Sequence, residues 1–149
     1  MKPFLRPLLL PLACIATAAT LAQQPIPPSA LAAKTIAILN DTKSGEVPDG
    51  ALEQLKRWGH FTVVDDTDTA DIVLRFDKKT DREKQSSQTT NNDGTTSYSG
   101  GMTFSSQVHM RAYLKGAGSP FYTTKTDDSK KKAGISCVAN FQKAWIETR

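Results

Sequence analysis

The sequence predicts an α/β fold, a two-layer sandwich in which a mixed β-sheet of about five strands carries two helices on one face. Three observations predict it. Residues 34–40 form a near-continuous apolar run, which is typical of a strand buried on both faces. Residues 48–59 and the chain after Asp128 carry apolar side chains at helical spacing. Residues 103–115 alternate between apolar and polar side chains with a period of two.

The first half of the domain has the pattern of a strand, a helix and a second strand. The strand over residues 34–40 leads through a polar loop to a helix that Pro48 or Asp49 begins. Gly59 ends that helix, since glycine readily adopts the left-handed conformation of a C-cap. Residues 61–64 form the second strand, and a crossover of this length places the two strands parallel.

Three further strands and a helix complete the predicted order β-α-β-β-β-β-α. Residues 71–77 form the third strand, and the alternating run after it forms a fourth with one dry and one wet face. A glycine-rich turn then leads into a fifth strand over residues 121–126, which completes a hairpin. Asp128 or Ser129 caps the last helix. The apolar side of that helix is formed by Cys137, Phe141 and Trp145.

A polar, low-complexity segment separates the third strand from the fourth. Residues 85–101 contain only one apolar residue, Tyr98. This composition favours a disordered loop, because the segment has so little apolar surface to bury. Its threonines leave a second interpretation open, the exposed tip of a long hairpin that turns at Asn92-Asp93-Gly94.

The N-terminal residues predict export. Lys2 and Arg6 precede an apolar run that ends in small residues at Ala22, which is the anatomy of a secretory signal peptide. The run is too short and too interrupted by proline to span a bilayer. We therefore expect residues 1–22 to be removed and the protein to be periplasmic or secreted.

The remaining chain divides into two parts. Residues 23–33 are rich in proline and predict an extended spacer. Residues 34–149 suit a single α/β domain with one core. Loss of the signal peptide removes two of the 19 basic residues and none of the 15 acidic ones. Because no basic stripe interleaved with aromatic residues is present, no nucleic-acid partner is expected.

Cys14 leaves a second export route open. The run Leu10-Pro11-Leu12-Ala13-Cys14 loosely resembles a bacterial lipobox, in which the cysteine becomes lipidated. Pro11 stands where the pattern has leucine, so cleavage after Ala22 is the simpler interpretation. In that case Cys137 is the only cysteine left and no intramolecular disulfide forms. Membrane attachment is expected only if Cys14 is lipidated.

Four aspartates suggest a cation site by charge alone. They are Asp65, Asp66, Asp68 and Asp71. Ala70 stands where an EF-hand loop has its third ligand, and no glycine comes after it to make the sharp turn. We therefore expect these residues to cap and solvate a turn, and we predict no metal ligand among them.

The remaining reactive side chains predict no catalytic residue and no cofactor-binding residue. His60 and His109 are the only histidines, and with one helical cysteine they do not supply a zinc ligand set. Cys137 lies among core residues, so we expect a buried thiol, although lysines one to two turns upstream could activate an exposed one. Lys43-Ser44-Gly45 has the residues of a phosphate loop in the wrong order, and it is not expected to lead straight into a helix.

Several short motifs resemble the amino-terminal domain of TolB and the related CsgG-type envelope lipoproteins. The motifs are Ile36-Ala37-Ile38-Leu39-Asn40, then Gly59 to Asp65 with the pattern G-x-F-x-V-V-D, and Ala70-Asp71-Ile72-Val73-Leu74. In topology the resemblance covers residues 34–148. It implies a bacterial cell-envelope protein that contacts another envelope protein and has no enzymatic site.

Two classes of function are therefore considered. The first is a non-enzymatic binding domain of the bacterial envelope. The alternative is a small extracytoplasmic enzyme or ligand-binding protein that uses the loops at 40–46 and 65–71. These loops come directly after the two parallel strands, and open α/β sheets bind ligands at the carboxyl ends of such strands.

Overall fold

The computed structural model describes residues 25–90, 93–94 and 96–149, so the expected signal peptide and Cys14 lie outside the described residues. The elements in chain order are α1 (Pro28–Leu31), β1 (Thr35–Asn40), α2 (Glu46–Trp58), β2 (Thr62–Val63), β3 (Ile72–Thr90), β4 (Thr96–Leu114), β5 (Tyr122–Thr126) and α3 (Lys130–Glu147). After the short α1, this is the predicted order of strands and helices.

The five strands form one mixed sheet in the order β2-β1-β3-β4-β5. Strand β1 lies between β2 and β3 and is parallel to both, whereas β3, β4 and β5 are antiparallel neighbours. The position of β1 between two other strands explains its apolar sequence, since Ile36 and Ala37 are both fully buried although they point to opposite faces. The predicted mixed sheet is thereby confirmed.

Helices α2 and α3 cover one face of the sheet, which gives the predicted two-layer arrangement. That covered face carries the buried, alternating side chains of the two long strands. They are Ile72, Leu74 and Phe76 on β3 and Val108, Met110 and Ala112 on β4. The core therefore lies between this face and the two helices, and neither α2 nor α3 lies on the opposite face.

The two helices touch closely at a pair of glycines. A Cβ at Gly50 would overlap the backbone carbonyl of Lys131, and one at Gly134 would overlap the carbonyl oxygen of Val47. The second position would also bring the Cβ within 2.6 Å of the Ala51 nitrogen. Because backbone atoms cannot turn away as a side chain can, only glycine permits this separation of the helix axes.

The expected extended spacer is wrong for the residues after Pro25. Ile26 is only 2% exposed and Ala30 is fully buried, and both belong to the main hydrophobic core. Pro27 and Pro28 begin α1, where the missing amide hydrogens of proline are not needed. The backbone amide of Ile26 also donates to Thr148 Oγ1, at 3.4 Å. The proline content predicted an extended segment. The apolar side chains between and after the prolines instead pack into the core, so the segment is ordered against the domain.

The polar segment between β3 and β4 forms a hairpin, so the favoured disordered loop is wrong and the second interpretation is what the structure shows. The antiparallel register runs without a break from Ile72 opposite Leu114 to Thr90 opposite Thr96. Gly94 lies in the turn with a positive φ of 82°, while Asn92 is outside the described residues. Threonine favours strands, and the register set by the buried part of the hairpin continues into the polar part.

Residues 81–104 form the arm of this hairpin, beyond the rest of the sheet. Strand β1 pairs with β3 only as far as Phe76, and β5 pairs with β4 only from Val108 onward. The arm is therefore a two-stranded ribbon, which contributes little stability on its own in water.

Shortening the arm should leave the domain folded. When an Asn-Gly turn replaces residues 85–101, Lys84 and Met102, which are paired in the register, become the closing pair of a two-residue hairpin. We expect the free energy of unfolding to change by less than about 1 kcal/mol, because loop-closure entropy depends weakly on length. Urea denaturation of both proteins measures this. A much larger loss would show that the arm packs against the domain.

Candidate functional site

The sheet face opposite α2 and α3 exposes an apolar strip. Leu39 is 39% exposed, and with Ile146 at 60% it is one of two exposed large hydrophobic residues in the part of the chain that the structure describes. Val73 and Tyr113 lie directly opposite each other on β3 and β4, and both are partly exposed. Leu39 is in register with Arg75, the next residue of β3 on the same face as Val73. We call this face, with Leu39, Val73 and Tyr113 at its centre, the open face.

Two arginines with carboxylate partners border the apolar strip. Arg75 and Arg111 lie directly opposite each other across β3 and β4, which would be repulsive without counter-charges. Arg75 Nε pairs with Asp41 Oδ2 at 2.6 Å, and Arg111 Nη1 pairs with Asp77 Oδ2 at 2.7 Å. The hydrogen bond to Asp41, and then the charge of the same carboxylate, raises the pKa of Arg75.

The rest of the open face is mainly basic. Lys79, Lys115 and Lys125 are exposed, and by strand register Lys79 and Lys125 lie on the same side as Arg111. None of the three has an ion-pair partner within 4.0 Å among the described side chains. A shallow groove of about 400 Å³ runs over the apolar strip. Its lining includes Leu39, Arg75, Tyr113 and Lys115.

A smaller cavity of about 220 Å³ lies on the opposite, helix-covered side of the sheet. It is bounded by the loop after β1, by the first turns of α2 and α3, and by strands β3 and β4. The polar residues that line it are Thr42, Ser44, Lys78, Ser106, Asp128, Ser129 and Lys130. We call it the helix-start cavity.

The two loops of the alternative function do not meet in one site. Loop 40–46 contributes Thr42 and Ser44 to the helix-start cavity, whereas Thr67 and Asp68 line the groove on the open face. Asp71 lies at the other end of β1, where its Oδ2 accepts the backbone amides of Lys34 at 2.9 Å and Thr35 at 3.0 Å. These bonds lower the pKa of Asp71. Loop 65–71 runs back along the sheet to start β3, so only its beginning lies at a carboxyl strand end.

The segment Lys43-Ser44-Gly45 departs from the sequence prediction in one respect. Helix α2 begins at Glu46, immediately after Gly45, so the loop does lead straight into a helix. Pro48 fits in the first turn of α2, because backbone amides in the first turn of a helix have no acceptor within the helix and proline lacks that amide hydrogen. The sequence predicted a start at Pro48 or Asp49, so the helix begins two or three residues earlier than predicted.

His60 is partly buried in an aromatic cluster. Its ring stacks on Trp58 with centroids 5.3 Å apart and meets Phe61 edge-on at 4.6 Å. Trp145 lies 5.4 Å away. Burial, with a smaller effect of Arg149, lowers the pKa of His60. His109 lies on the open face, and its Nε2 is buried without a hydrogen-bond partner among the described residues.

Cys137 is fully buried on α3, in agreement with its expected place in the core. Burial, and to a lesser extent the charge of Asp128, raises the pKa of its thiol to about 12. A thiol that stays protonated at neutral pH is a poor nucleophile. Within the described residues, no three His, Cys, Asp or Glu side chains are grouped so that they could hold a metal ion, and no helix is long and apolar enough to cross a membrane.

Comparison with known proteins finds low similarities. No protein-family model and no curated protein matches the chain. A PelC dodecamer from Paraburkholderia phytofirmans is 15% identical, with a TM-score of 0.45, and the alignment covers 83% of this chain and 93% of that one. A PDZ domain protein from Parabacteroides distasonis is 14% identical, with a TM-score of 0.36 and coverages of 71% and 30%.

The rare lipoprotein B from Shewanella oneidensis is also 14% identical, with a TM-score of 0.33 and coverages of 77% and 86%. At these values the chain is assigned to no family, and the resemblance of its motifs to TolB and CsgG stays a prediction.

Proposed function

We propose that this chain is an exported protein of the bacterial cell envelope that acts as a non-enzymatic binding domain and contacts another envelope protein through its open face. The observation that carries the proposal is the exposed apolar strip around Leu39, set among basic side chains on the sheet face that α2 and α3 leave uncovered. An apolar centre with a charged, hydrated rim is the usual anatomy of a protein interface.

The charges on the open face indicate which kind of surface the partner presents. Arg75 and Arg111 are held in place by carboxylates, and the lysines around them leave the rim with an excess of positive charge. The complementary surface has an apolar side chain for the groove beside Tyr113 and acidic residues at its edge. Contacts of Tyr and Arg at the centre of such an interface contribute most of the binding energy.

The export part of the proposal depends on residues 1–22 and on the short segment between them and the folded domain. Cleavage after Ala22 leaves three residues before Ile26, whose side chain is buried in the core. The mature chain would therefore start beside the folded domain. Lipidation of Cys14 would place a tether of residues 15–25 between membrane and domain.

Leu39→Asp should weaken binding to the envelope partner without unfolding the domain. Leu39 is 39% exposed, so the substitution removes contact area from the centre of the open face and adds a charge of the same sign as the partner's rim. We expect the dissociation constant to rise at least about tenfold, which corresponds to about 1.4 kcal/mol. The affinity is measured by isothermal titration calorimetry with a partner identified by crosslinking at position 39.

Ile146→Asp is the matched control. Ile146 is equally large and apolar and more exposed, at 60%, but it lies on α3, on the other side of the molecule from the open face. We expect its substitution to leave the affinity within about twofold of the parent, as for a residue outside the interface. Equal weakening by the two substitutions would contradict the proposed surface.

A further inference from the structure

The outer edge of strand β4 is free along the arm. Strand β5 pairs with β4 only from Val108 onward. Residues 96–107 therefore have β3 on one side and no described strand on the other. The unpaired backbone groups of such an edge are a template on which another strand can add.

The sequence of this edge lacks the features that normally prevent strand addition. Proteins protect edge strands with charged side chains, proline or a β-bulge. Residues 96–107 contain no charged residue and no proline, and their register with β3 has no break. The other edge of the arm is protected, since seven of the eight residues 77–84 on β3 are charged. Strand addition is therefore favoured at the β4 edge.

The apolar residues of the arm fall on one face of β4. By strand alternation Tyr98, Met102 and Phe104 share a face with Val108, which belongs to the core. A two-stranded ribbon is marginally stable in water, whereas three or more strands with an apolar face are stable. A further strand at the β4 edge would pair the free backbone groups and place new neighbours beside these apolar residues.

A second copy of this chain suits the edge. An uncharged edge does not repel its own copy, and two antiparallel strands related by a two-fold axis pair one residue with its own counterpart at the axis. If the axis passes at Gly100, Tyr98 of one copy lies opposite Met102 of the other. Thr96 then lies opposite Phe104 of the other copy. Methionine packs favourably on aromatic rings, and no like charges meet in this register.

The end of β5 selects this register. With the axis at Gly100, residues 96–104 of the two copies pair, and residues 105–107 leave about 10 Å of edge for the turn of the other arm. With the axis one residue nearer the domain, Gly94 of the second copy would lie opposite Val108, where Thr126 of β5 already pairs. With the axis nearer the tip, fewer residues pair.

We propose that the arm is a dimerisation element, in which the β4 edges of two copies pair antiparallel over residues 96–104 around a two-fold axis at Gly100. The two arms then form one sheet of four strands, with a β3 strand at each outer edge. The charged residues of β3 oppose further addition, so the assembly ends at two copies. The open face lies at the other end of the same strands, where Val73 pairs with Tyr113, and it stays accessible in the dimer.

Disulfide trapping in the full mature chain tests the axis. Gly100→Cys places two thiols directly opposite each other, at a Cα separation of about 4.5–5.5 Å that a disulfide can bridge. Ser86→Cys is the matched control, because Ser86 lies opposite Gly100 on β3. The two copies of residue 86 are three strand spacings apart in the dimer, about 14 Å, which is too far for a disulfide. Cys137 is fully buried and does not compete.

We expect mild oxidation to convert Gly100→Cys to a covalent dimer and to leave Ser86→Cys monomeric on a non-reducing gel. Both substitutions lie in the arm, outside the core, so neither puts the folding of the domain at risk. Equal trapping at the two positions, or preferential trapping at position 86, would overturn the proposal.

Sedimentation velocity at several protein concentrations detects the dimer without a covalent bond. We expect the parent to form a dimer that dissociates on dilution, because so short a pairing belongs to the weak class of interfaces. Gly100→Lys should abolish the dimer, since it places two like charges opposite each other at the axis. Ser86→Lys adds the same charge one strand further from the axis and should keep the dimer.

The chain in which an Asn-Gly turn replaces residues 85–101 should be monomeric at every concentration. A parent that is monomeric throughout, or a dimer that persists in the shortened chain or in Gly100→Lys, would overturn the proposal. Leu39→Asp should leave the dimer unchanged, so failure of the arm and failure of the open face are separate results.

Discussion

Trp145→Ala is expected to reduce the free energy of unfolding by about 3–5 kcal/mol, the usual loss for a large aromatic residue removed from a core. Trp145 is 1% exposed on α3. Its ring meets Phe61 with centroids 5.0 Å apart, Phe141 at 5.6 Å and Trp58 at 6.1 Å, so it joins both helices to the start of β2. Urea denaturation monitored by far-UV circular dichroism measures the loss.

Cys137→Ala and Trp145→Phe are the controls for this prediction. Cys137 is also fully buried on α3, but its thiol is close in size to a methyl group, so the loss should be under about 1.5 kcal/mol. Trp145→Phe keeps most of the ring and removes an Nε1 that is buried without a partner, so it should be milder than alanine. A Cys137 thiol that alkylates in the native protein as fast as a free thiol would contradict the core assignment.

Gly134→Ala is expected to destabilise the protein by about 3 kcal/mol, although alanine favours helices over glycine by about 1 kcal/mol. The added Cβ would overlap the carbonyl oxygen of Val47 and lie 2.6 Å from the nitrogen of Ala51, which are both backbone atoms of α2. The helices must move apart, and the core between them loses contacts. Thermal and urea unfolding of the variant measure the net effect.

Gly118→Ala is the matched control. Gly118 lies in the turn between β4 and β5, and a Cβ there would meet nothing within 4 Å. The free energy of unfolding of the Gly118→Ala variant should stay within about 0.5 kcal/mol of that of the parent. If Gly134→Ala were as mild as Gly118→Ala, the close packing of α2 on α3 would be wrong.

The order of strands and helices was predictable because each element carries its own local signal. The apolar run of β1 indicates a strand buried on both faces, and the alternation in β4 indicates a strand buried on one face. Gly59 has the positive φ of 68° that is expected of a residue at the end of a helix. The arm and α1 were mispredicted because their composition conflicts with their context. A polar ribbon stays paired when its register is set elsewhere, and Ile26 and Ala30 are buried in spite of the prolines between them.

The candidate sites were less predictable than the fold. Alternation in β4 indicated that Arg111 and Tyr113 share a face, but only the strand order places Leu39 and Arg75 beside them. The helix-start cavity depends on residues far apart in sequence, from Thr42 to Lys130.

Site-specific photo-crosslinking in cells that export the protein tests the central claim most directly. A photoreactive residue at position 39 on the open face or at position 146 on α3 is activated in the intact envelope. We expect a defined crosslinked protein at position 39, absent at position 146 and weakened by Arg75→Glu. The same crosslinked protein at position 146 and none at position 39 would contradict the claim.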